Sequence, residues 1–176
     1  MHNFLSAYDR IVAGWVTRLP DWLRPIMLTV TFIGEPLSVI VVSGAVATTA
    51  WLKGYKRIVY AEIAGLVGFG VNTFLKHYFH RARPDTIFAH SMRIKSYSFP
   101  SGHAYGGIVF YGLLAYLAWK YLPQPGNVIA AALLAVLIFT IGISRIYLGA
   151  HFPSDVTAGW VLGGLTLALI IIYVKP

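Results

Sequence analysis

The chain has no cysteine among its 176 residues, which excludes disulfides and thiolate metal sites. Acidic residues are nearly as scarce. They are Asp9, Asp21, Glu35, Glu62, Asp85 and Asp155, and no two of them form the carboxylate pair that a divalent cation draws on. Charged residues of both signs amount to 11% of the chain, against about 25% in soluble domains. Repeats and low-complexity tracts are missing too, which excludes solenoids and flexible linkers. Apolar residues dominate instead: 57% of the chain is hydrophobic, and the mean hydropathy is +0.68. That is the composition of a membrane protein.

A hydrocarbon core asks for about 20 residues per crossing helix. Five stretches meet or approach that length: residues 25–52, 58–76, 103–121, 128–145 and 153–174. A sixth, residues 4–19, is shorter, and its Trp15 and Arg18, with Trp22 beyond, suit a helix lying at the interface. Asp9 and Arg10 interrupt the apolar core that a signal peptide needs, so this segment reads as a retained helix. The expected fold is all-α: a polytopic membrane bundle of five to six transmembrane helices, one domain over residues 1–176, with an active site at one membrane face. Gly102 with Gly106, Gly159 with Gly163, and Gly65, Gly68 and Gly70 read as helix-contact positions.

The net charge is +8. Nucleic acid is a poor candidate partner, because no basic domain stands outside the oily segments. Alternating spans gather Lys76, Arg81, Arg83, Arg93, Lys95 and Arg145 on one side, together with histidines. Lys53, Lys56, Arg57, Lys120 and Lys175 gather on the other. If the first group serves chemistry, the second is the positive-inside signal and faces the cytoplasm. The chemistry then faces outward, in a bacterial plasma membrane.

Three blocks carry that chemistry. In KHYFHRARP, Lys76 and Arg83 lie seven residues apart and share a helix face if the helix runs past the membrane edge to Pro84. Taken alone, they read as snorkelling cations. In PSGH, Ser101 can cap a new helix, and the N–H groups of Ser101, Gly102 and His103 can face an anion. Taken alone, this is a cap and turn. In SRIYLGAHFPSD, Arg145 ends one span, Gly149 turns the chain, and Pro153 opens the next helix. His151 then precedes that helix, with Asp155 in its first turn. An Asp that fixes a His tautomer leaves the other ring nitrogen free to attack. Alternation brings all three blocks to one face, where ionisable residues mark function. His77, His80 and His90 read as loop or head-group residues rather than as a metal cluster.

Together, Lys76-x6-Arg83-Pro84, Pro100-Ser101-Gly102-His103 and Ser144-Arg145-x5-His151-x3-Asp155 resemble the signature of the type 2 phosphatidic acid phosphatase superfamily. Its members include bacterial phosphatidylglycerophosphatases and undecaprenyl-diphosphatases, glucose-6-phosphatase and vanadium haloperoxidases. The resemblance spans residues 76–155 and implies a metal-independent membrane phosphatase without cofactors. Its substrate would be a lipid phosphate or pyrophosphate, such as phosphatidylglycerophosphate, undecaprenyl pyrophosphate or phosphatidic acid. It implies His151 as nucleophile, Asp155 as its orienting group and His103 as acid and base. Lys76, Arg83, Ser101, Gly102 and Arg145 would hold the phosphate. A non-catalytic lipid-phosphate binder or transporter is the alternative. Such a protein would keep the cations without needing both histidines and Asp155.

Overall fold

The computed structural model describes residues 2–91 and 96–175, so Arg93 and Lys95 lie outside the described residues. Among those residues the chain is helical, with no strand. Proline opens helices where its missing N–H costs nothing: Pro25 in α2 (Arg24–Ile33), Pro36 in α3 (Pro36–Leu52) and Pro153 in α9 (Pro153–Val174). Helices α4 (Lys56–Phe79) and α8 (Gly126–Tyr147) complete the long elements, and α1 (His2–Val16) and α5 (Ile87–Ser91) are shorter.

The predicted span over residues 103–121 is a rod assembled from α6 (Gly102–Gly106), one wide π turn (Gly107–Tyr111) and α7 (Gly112–Tyr121). This rod is the axis of the molecule. Tyr105, Val109 and Leu113 within it are fully buried, and it packs against α3, α4, α8 and α9. Glycines set how close the neighbours come. A Cβ on Gly159 would stand 2.5 Å from the Ser101 carbonyl and 2.9 Å from the Ala104 Cβ. One on Gly163 would stand 2.9 Å from the Tyr105 carbonyl. Helix α9 therefore lies directly on the start of the rod, as small residues allow in lipid. Gly65 and Gly68 meet the same rod, whereas Gly70 faces open space.

Outward surfaces are apolar. Leu133, Val136 and Phe139 on α8, and Val161, Leu165, Leu169 and Ile172 on α9, recur at helical spacing and are all exposed, as lipid-facing stripes are. Helices α4, α8 and α9 are long and apolar enough to cross a membrane. Residues 25–52 differ from the expected single span. Pro36 forces Glu35 into an extended conformation, so the segment breaks into a pair bent by 51°, which counts as a fourth crossing only if taken together. Helix α1 lies across the ends of α8 and α9, with Tyr8 Oη and Thr157 Oγ1 2.8 Å apart.

Candidate active site

All three sequence blocks meet at one end of the bundle. Lys76, near the C-terminus of α4, is 8% exposed. Its Nζ donates to the carbonyls of Pro100 at 2.6 Å, Tyr97 at 3.2 Å and Ser98 at 3.4 Å. The lysine thus ties the strap leading into PSGH to the end of α4.

Arg83 arrives by a route other than the one expected. The helix does not run on to Pro84. It stops at Phe79 because His80 takes a left-handed conformation, φ 49°, a helix-ending geometry usually left to Gly or Asn. Beyond it the chain folds back, with Ser98 N–H donating to the Arg81 carbonyl at 2.8 Å. Arg83 is fixed by its own fork. Nε donates to Ser96 O at 2.9 Å, and Nη1 donates to Ala150 O at 2.9 Å and to His151 Nε2 at 3.1 Å.

That last contact assigns the tautomer. A guanidinium can only donate, so His151 Nε2 carries the lone pair and Nδ1 the proton. Nδ1 faces Asp155 Oδ2 at 3.4 Å and Ser98 Oγ at 3.3 Å. Ser98 in turn donates to the same carboxylate oxygen at 2.5 Å. The path from imidazole to carboxylate therefore runs mainly through Ser98, which lies inside the PSGH-bearing stretch but outside its recognised pattern. Burial holds His151 neutral by pushing its pKa well below 6.5, and the positive charges of Arg83, Arg145 and Lys76 push the same way. Burial also lowers the pKa of Arg83, with Asp155 opposing.

Asp155 is wholly buried and fully engaged. Oδ2 also accepts the Phe152 N–H at 2.9 Å, and Oδ1 accepts Arg81 Nη1 at 2.6 Å. Arg81 reaches onward through Nη2 to Asp9 at 2.7 Å. Asp9 also accepts Ser154 N–H at 2.7 Å and Ser154 Oγ–H at 2.9 Å. The sequence offered Arg81 only as one cation among several, and Asp9 only as an interruption of a leader. Both are parts of the frame around Asp155.

The PSGH block needs one correction. Ser101 does cap α6, accepting the Ala104 N–H at 3.4 Å. Its own N–H is spent on the Asp155 carbonyl at 2.9 Å, so it is not part of an anion-facing array. Gly102 and His103 occupy the first turn, where N–H groups have no helical acceptor. Among the described residues His103 Nε2 is buried without a partner, as is Arg145 Nε. Arg145 is 1% exposed, and one Nη1 donates to Thr31 Oγ1. The cations nearest in effect to His103 are Arg145, Arg83 and Lys76. Gly149 takes φ 70° in the turn that delivers His151.

Among the described residues no group of three His, Asp or Glu is placed to hold a metal ion. His77 Nδ1 lies 2.9 Å from the Thr73 carbonyl, His80 packs against the Tyr97 ring at 4.6 Å, and His90 Nε2 lies 2.6 Å from Asp85.

Known proteins resemble this chain in sequence and in overall fold. The PAP2 superfamily profile matches residues 54–176. Phosphatidylglycerophosphatase B of Bacillus subtilis (strain 168) is 35% identical over 179 residues, covering 94% of this chain and 82% of that protein. The putative undecaprenyl-diphosphatase YbjG of Escherichia coli (strain K12) is 31% identical over 157 residues, covering 84% of this chain and 73% of that one. The crystal structure of a transmembrane PAP2-type phosphatidylglycerolphosphate phosphatase from Bacillus subtilis matches with a TM-score of 0.84 at 26% identity, covering 97% of this chain and 86% of that one. With a profile covering well over half the sequence and a relative aligned across nearly all of it, the chain belongs to the PAP2 superfamily.

Proposed function

We propose that the protein is a membrane phosphatase that hydrolyses the phosphate or pyrophosphate group of a lipid through a phosphohistidine. The carrying observation is the setting of His151: Nε2 lies 3.1 Å from Arg83 Nη1, which can only donate, while Nδ1 faces Ser98 and Asp155 on the other side of the ring. In the first step Nε2 attacks phosphorus, the P–N bond forms and the bond to the leaving oxygen breaks. His103, which takes up a proton on Nε2 as the anionic phosphate enters beside it, gives that oxygen its proton. In the second step His103, now neutral, takes a proton from water. The water oxygen attacks phosphorus, the P–N bond breaks, and inorganic phosphate leaves. Asp155, through Ser98, stabilises the charge that His151 gains.

Lys76, Arg83 and Arg145, with the first-turn N–H groups at Gly102 and His103, hold the equatorial oxygens. Ser101 shapes that turn as its cap. Arg83 Nη1 occupies the Nε2 lone pair at rest, so it moves onto a phosphate oxygen when substrate arrives. These three cations supply the neutralisation that phosphoryl transfer often draws from Mg²⁺.

Lipid substrates fit the setting, since the site sits where apolar helices end. The relatives' names favour phosphatidylglycerophosphate and undecaprenyl pyrophosphate. Counting the bent pair as one crossing and the rod of residues 102–121 as another gives five spans, with α1 at the interface. The whole chain then acts as one domain. The basic cluster of Lys53, Lys56, Arg57, Lys120 and Lys175 faces the cytoplasm and the site faces outward. The test is release of inorganic phosphate from both candidate lipids by the purified protein and by His151→Ala. Turnover is expected in the first and none in a folded variant. Lipid binding without phosphate release would favour the non-catalytic alternative.

A further inference from the structure

The end of the bundle opposite the site holds two joined cavities. One, about 360 Å³, is rimmed by Lys56, Arg57 and Lys120. The other, about 420 Å³, is a mainly apolar groove between α3, α4 and α7 lined by Val46, Ala50, Ile58 and Leu117, with Lys53 and Thr49 also on its wall. They share Tyr55, Ile58 and Tyr121, and no acidic residue lines either. Lys120 Nζ stands 5.5 Å from the Tyr121 ring centre, and Arg57 Nη1 is anchored on the Lys175 carbonyl at 2.9 Å. Lys56 starts the helix that Lys76 nearly ends, so this cluster lies about 30 Å from the catalytic face at 1.5 Å per residue.

We propose that these cavities bind one anionic diacyl phospholipid, its phosphodiester head among Lys56, Arg57 and Lys120 and an acyl chain in the groove. Cations that merely snorkel need no apolar groove leading from them, and a free phosphate would leave that groove unused. The cavity offers no histidine, so the lipid is held and not hydrolysed. The inference requires a membrane-embedded chain but not the phosphatase reading. Native mass spectrometry of the full chain from mixed phosphatidylserine and phosphatidylcholine nanodiscs tests it. One phosphatidylserine per chain is expected to persist. The triple variant K56Q/R57Q/K120Q should lose it at least tenfold, while Arg83→Gln at the other face should retain it. Equal retention by the triple variant, or loss only in Arg83→Gln, overturns the site.

A separate observation concerns Asn72. It is fully buried, one turn before Lys76 on α4, and among the described residues neither its amide nitrogen nor its oxygen has a partner. Its Oδ1 lies 3.6 Å from where a Cβ on Gly102 would stand. Beside Gly102, His103 Nε2 is orphaned as well. Buried amides are ordinarily hydrogen-bonded, and an unpaired one calls for a specific explanation. We infer that Asn72 is a positioning residue that completes its hydrogen bonds in the loaded site and sets the orientation of His103, an inference that rests on the phosphatase reading. Asn72→Leu, of similar size, should leave the protein as thermostable or more so. It should lower kcat at least tenfold and shift the alkaline limb of the pH profile, with Asn72→Gln recovering part of the rate. Wild-type kcat and pH profile in Asn72→Leu would remove Asn72 from the site. Activity in His151→Ala would instead remove the phosphatase reading itself.

Discussion

At the scale of single residues, the proposed mechanism depends on His151 being unprotonated at Nε2 before substrate arrives. His151 is held neutral, with its pKa depressed below 6.5 first by burial and then by Arg83, Arg145 and Lys76. The active, neutral form therefore survives into mild acid, and the acidic limb of kcat/KM should fall below pH 6.5; a limb above that value contradicts the assignment. The same shift has a stability consequence of definite sign. As pH drops below about 6.5 the unfolded chain takes the His151 proton before the folded chain does, so this residue's contribution lowers stability toward acid. Ser98 is the second residue-scale test. Removing its hydroxyl leaves His151 Nδ1 with only the 3.4 Å approach to Asp155. Ser98→Ala should cut kcat by about 10–100-fold, the range found when a metal-bound histidine loses its orienting partner, with KM little changed in steady-state assays.

Among elements, α1 is clamped to the site through one side chain. Asp9 accepts from Arg81 and from Ser154, and Arg81 carries the link to Asp155. Asp9→Ala strands these donors, and leaving buried donors unpaired costs about 1–3 kcal/mol. A lower thermal midpoint together with reduced kcat is expected; wild-type values of both would show that the clamp is idle. Helix α9 offers a sharper probe. Gly159→Ala would put a methyl 2.5 Å from the Ser101 carbonyl, pushing α9 away from the turn that presents His103. Activity should fall more than stability in that variant, measured side by side. How legible the elements were in the sequence depended on what sets them. Helices α8 and α9 matched their apolar runs closely because lipid demands such runs. The end of α4 did not, because a left-handed His80 follows from folding back onto residues 96–100 and not from any local signal.

For the whole molecule, the charge distribution separates a catalytic face from an anchoring face. Phosphoryl transfer at the first is assigned to fixed cations, so EDTA should leave activity unchanged. Vanadate, which takes the geometry of five-coordinate phosphorus, should compete with substrate in phosphate-release assays. Loss of activity to the chelator with recovery in Mg²⁺ would overturn this part of the mechanism. The proposed lipid site at the opposite end is independent of that outcome.

What the sequence determined by itself was the membrane setting, the helical class and the identity of the residues in the three blocks. Composition and spacing survive any arrangement of the chain. Only the tertiary structure decided that Arg83 reaches His151 from a loop, that Ser98 stands between imidazole and carboxylate, and that Asp9 braces Arg81. The last of these contacts joins residues 72 positions apart. Hydrogen bonds between such distant residues are fixed by where the backbone packs, and no local pattern carries that information.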